Sequence, residues 1–192
     1  MELIFIRHGQ GTHTSNLPNS LGMRNPSLTS KGMDQAKKLR SALPLTAEDV
    51  VVVSPTLRTL QTASVWSRNV DCIKVVHPLA APRIFPAHAD AVTSRCDELL
   101  DTQTMQEEFP AFHFAQNQDS SLWKTGINIL PEYEFSCLAE DFFGFCRSFQ
   151  RKRIYIITHD GTITSYRQLI SGRLLTRQDF LNETEFFRLV IN

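Results

Sequence analysis

The chain has 192 residues, with 20 Lys plus Arg against 20 Asp plus Glu, so its formal net charge is zero. That length suffices for one domain with a sizeable core, and the charge balance argues against a generic nucleic-acid binder, which carries a basic excess. No apolar run approaches the roughly 20 residues that span a bilayer, and Arg7 and His8 interrupt the apolar N-terminal stretch, so neither a membrane association nor a secretory leader is expected.

Glu2 to Ile6 reads as a short buried strand that ends abruptly in Arg7-His8-Gly9. Residues 10–28 are rich in Gly, Ser, Thr, Asn and Pro and read as a long functional loop. Thr29 or Ser30 caps a helix running to about Leu43, with Ala36, Leu39 and Leu43 on one face and Pro44 beyond its end. Val50 to Val53, four β-branched residues in a row, suit a parallel sheet covered on both faces. Ser54-Pro55 turns that strand into a helix over 57–68, and Cys72 to Val76 is the next strand. Residues 78–96 contain three prolines and read as irregular, 97–108 as an acidic helix, and 110–135 as an insertion. A helix over 137–150 spaces Leu138, Phe142, Phe145 and Phe149 for burial. Arg153 to Thr158 is a strand ending in His159-Asp160-Gly161, a helix follows over 162–171, and Phe186 to Ile191 closes the chain as a strand.

Strands alternating with helices indicate an α/β three-layer sandwich, a largely parallel central sheet with helices on both faces. A single domain over 1–192 is expected, with a less regular insertion at about 78–135. Cys72, Cys96, Cys137 and Cys146 are spread out with no CxxC pair, which reads as four reduced, mostly buried thiols of a cytoplasmic protein.

Three strand ends repeat one theme. Arg7-His8-Gly9 ends the first, Ser54-Pro55 with Arg58 one turn on ends the second, and His159-Asp160-Gly161 ends a later one. Parallel strands deliver their C-terminal ends to one edge of the sheet, where ligands bind. Two histidines and two arginines can therefore converge there. A neutral imidazole beside guanidinium groups suits attack on an anionic group such as phosphate.

These residues resemble the histidine phosphatase superfamily, the phosphoglycerate-mutase-like proteins. Arg7-His8-Gly9 resembles the signature triplet, and Ser54-Pro55-Thr56-Leu57-Arg58-Thr59-Leu60-Gln61-Thr62-Ala63 resembles the second motif nearly residue for residue. Leu28-Thr29-Ser30-Lys31-Gly32, followed by Gln35-Ala36, resembles the helix start between them, and Thr158-His159-Asp160-Gly161 resembles the second-histidine motif. The blocks stand in the family's order. Gln10-Gly11, Cys96-Asp97, Phe109-Pro110 and Trp123 are similar to one branch of it.

The resemblance implies the family's fold and a phosphatase that acts on a small phosphorylated metabolite through a phosphohistidine on His8. Arg7, Arg58 and His159 would hold the non-bridging oxygens. Gln10 and Thr14 would contact substrate, with N–H groups near Asp160 adding donors at a helix start. It implies neither metal nor other cofactor, and no Walker A pattern is present. Phosphoglycerate-mutase-type transfer, or a weakly catalytic phosphate-binding module, are the alternatives.

The chain departs from the family pattern at two positions that matter. Thr14 stands where many members carry Asn, so a weakened phosphate contact is expected there. The proton donor is usually a Glu shortly after the third strand, yet 78–92 contains no Glu. Asp97 is the first candidate to replace it, with Glu98 and Asp90 next and His88 behind them; Asp97-Glu98 reads equally as an acidic pair at a helix N-terminus. Phe109, Phe112 and Phe114 are expected either in the core or walling the substrate mouth.

Overall fold

A computed structural model describes residues 1–14 and 18–191. Its strands are β1 (Glu2–Arg7), β2 (Val50–Val53), β3 (Ile73–Val76), β4 (His113–Phe114), β5 (Arg153–Thr158) and β6 (Phe186–Val190). Its helices are α1 (Ser30–Ala42), α2 (Leu57–Trp66), α3 (Thr102–Glu108), α4 (Leu122–Thr125), α5 (Glu132–Ser148) and α6 (Asp160–Ser171). The strands form one sheet in the order β4-β3-β2-β5-β1-β6. All neighbours run parallel except β6, which is antiparallel to β1. Among the described residues no helix is long and apolar enough to cross a membrane.

Alternation along the central strands explains the layers. Leu3, Phe5, Val50, Val52, Ile154 and Ile156 point to one face, where Phe135, Ala139, Phe142, Phe143 and Cys146 of α5 and Ile163 and Tyr166 of α6 cover them. Ile4, Ile6, Val51, Val53, Tyr155 and Ile157 point to the other, against Leu39 of α1 and Leu60, Ala63 and Trp66 of α2. All four valines of β2 are fully buried, each worth about 1.5–3 kcal/mol against exposure. The three-layer α/β sandwich read from the sequence is thus the observed architecture.

The differences lie in the middle of the chain. The acidic helix expected from residue 97 begins at Thr102, because the Asp101 side chain accepts from the Thr104 N–H and caps it there. Residues 95–97 form a separate 3-10 turn, so Asp97-Glu98 do not cap α3. Helix α5 starts at Glu132, after Pro131, and its buried stripe is Phe135, Ala139, Phe142, Phe143 and Cys146. Leu138, Phe145 and Phe149 flank that stripe, partly buried. The insertion contributes β4, which adds a strand to the outer edge of β3. Of the loop expected over 10–28, residues 15–17 lie outside the described residues. The rest holds 3-10 turns at Thr12–Thr14 and Asn19–Gly22.

Candidate active site

The register brings three strand ends together. Arg7 at the end of β1 lies opposite Thr158 at the end of β5, and Val53 at the end of β2 lies opposite Ile157. The next residues stay tied to that edge: His8 N–H donates to the Thr158 carbonyl at 3.1 Å, and Ser54 N–H to the Ile157 carbonyl at 3.0 Å. Threonines brace the turns. Thr62 on α2 accepts from the Gly9 N–H at 3.1 Å, and Thr59 donates to the Ser54 carbonyl at 2.7 Å. Glycine is required where these turns meet. A Cβ on Gly161 would lie 2.1 Å from the Arg83 carbonyl oxygen, and one on Gly32 would lie 2.2 Å from the Gln10 carbonyl oxygen.

The resulting cavity, about 330 Å³, is lined by Arg7, His8, His13, Thr14, Arg58, Asp97, His159 and Asp160, with Leu21, Pro82, Arg83, Cys96 and Arg177 completing its wall. His8 and His159 are almost fully buried, their ring centroids 5.0 Å apart. His8 Nδ1 sits 2.7 Å from the Gly9 carbonyl oxygen. A carbonyl only accepts, so Nδ1 carries the proton and Nε2 the lone pair. Arg58 Nε donates to that lone pair at 3.2 Å.

The same guanidinium organises the rest of the site. Its Nη1 donates to the Cys96 carbonyl at 2.6 Å, and its Nη2 contacts Asp97 Oδ1 at 2.9 Å and His159 Nδ1 at 3.1 Å. Arg58 has only protons to offer, so His159 Nδ1 accepts and its Nε2–H donates to Ser54 Oγ at 2.8 Å. Both imidazoles are therefore neutral. Burial pushes the His8 and His159 pKa values well below the ordinary imidazole value, with the Arg58 charge the next cause. His13, its ring 5.8 Å from His8, is lowered to about 3 by burial and then by Arg58.

Arg7 reaches the cavity from β1. Its Nη1 donates to the Leu181 carbonyl at 2.6 Å and its Nη2 pairs with Asp160 Oδ2 at 3.0 Å, while Nε is buried without a partner. That Nε–H is an unsatisfied buried donor on a side chain that lines the cavity. Asp97 is held by Arg58. Burial pushes its carboxyl up, and Arg58 pulls against that shift.

Of the sequence candidates, Arg7, His8, Thr14, Arg58, Asp97, His159 and Asp160 share the cavity and Gln10 does not. The Gln10 side-chain oxygen accepts from Thr29 Oγ1 at 2.9 Å, which ties it to the N-cap of α1. Thr14 is at the wall, but its hydroxyl donates to the Gly11 carbonyl at 2.8 Å, so that proton is already engaged. Asp160 presents a carboxylate, and its Oδ1 takes the Gly161 N–H at 2.7 Å, so that donor at the start of α6 is not open to an anion. Glu98 pairs with Arg24 at 2.8 Å, away from the wall, and Asp90 is exposed and off it as well. His88 lines a neighbouring recess together with Asp97 and Asp160. Phe112 is buried in the core against α2, with Phe109 and Phe114 packed beside it, so the mouth-walling expectation fails for all three. They serve the sheet edge that β4 extends.

The sequence reading missed Arg83 and Arg177. Arg83 is buried and donates to the Ile127 and Leu130 carbonyls at 3.1 and 2.7 Å, and pairs with Glu132 at 3.0 Å. The positions expected to supply the family's Glu are also explained. Tyr166, Thr158 and Thr162 donate to the carbonyls of Leu79, Ala80 and Ala81 in turn, at 2.9, 2.6 and 2.7 Å, fixing a buried, all-apolar segment there.

Residues 3–79 match the family model of the histidine phosphatase superfamily (branch 1). No curated protein sequence matches the chain. Solved structures share its fold along nearly the whole length. The alpha-ribazole phosphatase from Shigella flexneri is 19% identical with a TM-score of 0.61, covering 100% of this chain and 91% of that one. A variant phosphoserine phosphatase from Entamoeba histolytica, bound to phosphoserine, is 18% identical with a TM-score of 0.62 over 100% and 91% of the two chains. The ecdysone phosphate phosphatase from Bombix mori, bound to tungstate, is 13% identical with a TM-score of 0.62 over 97% and 88%. The resemblance read from the motifs is thus borne out, by family model over residues 3–79 and by fold over the full chain.

Proposed function

We propose that this chain, a histidine phosphatase superfamily member by its N-terminal sequence and by its fold, is a phosphomonoesterase that forms a phosphohistidine on His8. One observation carries the reading: a buried imidazole with its Nδ1 proton fixed on the Gly9 carbonyl and its Nε2 lone pair turned to a cavity walled by guanidinium groups. Substrate phosphate displaces Arg58 Nε from His8 Nε2 and takes up the donors of Arg58 and the orphaned Nε of Arg7. The lone pair attacks phosphorus, the N–P bond forms, and the P–O bond to the alcohol breaks. Asp97 gives its proton to the leaving oxygen, which its raised pKa favours. Water then attacks the phosphohistidine, Asp97 recovers a proton from it, and phosphate leaves. Arg58 and His159 stabilise the equatorial charge in both steps.

Hydrolysis is favoured over mutase transfer because, among the described residues, the aromatic side chains of the insertion pack at the sheet edge and do not roof the cavity, leaving water access. Small phosphorylated compounds are the proposed substrates, as in the structural neighbours whose names specify a phosphatase.

The experiment is turnover of an aryl and an alkyl phosphate by wild type, His8→Ala and Asp97→Asn. His8→Ala should lose at least about a thousand-fold on both substrates. Asp97→Asn should lose about 10²–10⁴-fold on the alkyl ester and far less on the aryl ester, whose good leaving group needs no acid. Equal rates for wild type and His8→Ala refute the mechanism. Equal losses on the two esters remove Asp97 as the donor.

A further inference from the structure

We infer that Arg177 is a specificity residue that binds a second anionic group, a carboxylate or a second phosphate, on the organic part of the substrate. The inference rests on the phosphatase reading for the word substrate, and on charge pairing and shape for the site itself.

Four arginines line the cavity: Arg7, Arg58, Arg83 and Arg177. Three are matched to carboxylates, Arg7 to Asp160 at 3.0 Å, Arg58 to Asp97 at 2.9 Å and Arg83 to Glu132 at 3.0 Å. Arg177 has no carboxylate within ion-pair distance among the described residues. The carboxylate nearest in sequence is already engaged, since Asp179 Oδ2 accepts from the Thr176 N–H at 2.8 Å and from its hydroxyl at 3.2 Å.

Arg177 is exposed, but the backbone that carries it is anchored. The 3-10 turn Arg177–Asp179 is closed by a capping box. Arg167 of α6 donates to the Asp179 carbonyl at 2.8 Å and ties that turn to the helix that starts at the active site. The Arg177 guanidinium lies 5.7 Å from the Phe180 ring centroid, a contact that limits where the charge can swing.

The second observation is the shape of the space beside it. A recess of about 220 Å³ adjoins the phosphate cavity and shares Arg83, Asp97, Asp160 and Arg177 with it. Phe85, Pro86 and Phe180 give it an apolar wall. A phosphoryl group at His8 with its ester oxygen toward Asp97 directs the organic part into this recess. The titratable and charged groups that face it are Asp97, which the proposed reaction uses as the acid, Asp160, paired with Arg7, Arg83, paired with Glu132, and then His88 and Arg177. The unmatched cation is Arg177, so an anion on the far end of the leaving group is what the recess complements.

The test is binding of two phosphonates that are not hydrolysed, n-butylphosphonate and 4-phosphonobutanoate, with butane-1,4-bisphosphonate as the third arm. Calorimetry on wild type and Arg177→Gln should give about ten-fold tighter binding of the two doubly functional ligands by wild type, the weight of one hydrogen bond to a charged group. That preference should collapse in Arg177→Gln and recover in part in Arg177→Lys. A preference for only one of the two identifies the second anion as carboxylate or phosphate. Equal affinity of wild type for all three, or a preference that survives in Arg177→Gln, overturns the inference. An intact preference in a protein that turns over no phosphate ester supports it and overturns the hydrolytic reading instead.

Discussion

His77 makes the fold sensitive to acid, and the size of the effect follows from its surroundings. The side chain is fully buried at the end of β3, its ring centroid 5.0 Å from Phe142 and 4.4 Å from Phe145. Nδ1 accepts from the Leu79 N–H at 3.1 Å, so the proton sits on Nε2, which has no partner. Protonating the ring would break the bond to Leu79 and leave a charge among phenyl groups, and burial accordingly lowers the pKa to about 3 from 6.5. Folding depresses this pKa, so the histidine's contribution is fully present above the unfolded value and is lost as the pH falls toward the folded one. At about pH 4.5 the unfolded chain gains about 2 pH units of protonation free energy that the folded chain does not, or about 2.7 kcal/mol. The assay is urea unfolding of wild type and His77→Asn at about pH 8 and about pH 4.5. Asn keeps an acceptor for the Leu79 N–H and does not titrate. Its absolute stability will fall for loss of packing. Its loss of stability between the two pH values should be smaller than that of wild type by about 2–3 kcal/mol, since His8, His13 and His159 titrate in both proteins. Equal losses refute the reasoning.

Two further outcomes are expected. Gly161→Ala forces a Cβ toward the Arg83 carbonyl oxygen, 2.1 Å away; it should lower stability by about 1–3 kcal/mol in urea unfolding and reduce turnover by shifting His159, and an unchanged midpoint would disprove the close contact. Arg58→Lys keeps the charge and loses the fork that reaches Cys96, Asp97 and both histidines. Its kcat/KM should fall about 10²–10³-fold on aryl and alkyl esters alike, and a loss below about ten-fold would reduce Arg58 to a simple counter-charge.

The parts of the fold that the sequence made legible are those with a local cause. Four valines in a row needed two covered faces, and β2 has them. The strand-end motifs were legible for the same reason: parallel register alone brings residues 7–8, 54 and 159 to one edge. What escaped depends on tertiary contact. Strand β4 is two residues long and exists through pairing with β3. The first turn of α5, Glu132-Tyr133-Glu134, carries exposed side chains with no apolar period, so its start was invisible. Phe109, Phe112 and Phe114 had the composition of a substrate wall and the location of a sheet edge. Gln10 stands beside the triplet in sequence, yet its side chain turns back to Thr29. Arg177 has no motif around it, because its route to the cavity runs through the return of the chain after α6.

Arg58 touches the proposed nucleophile, the second histidine, the carboxylate and the Cys96 backbone at once. Groups wired through one shared partner do not make independent contributions. The losses from substitutions at positions 8, 58, 97 and 159 should therefore not sum, and a second change after the first should cost little.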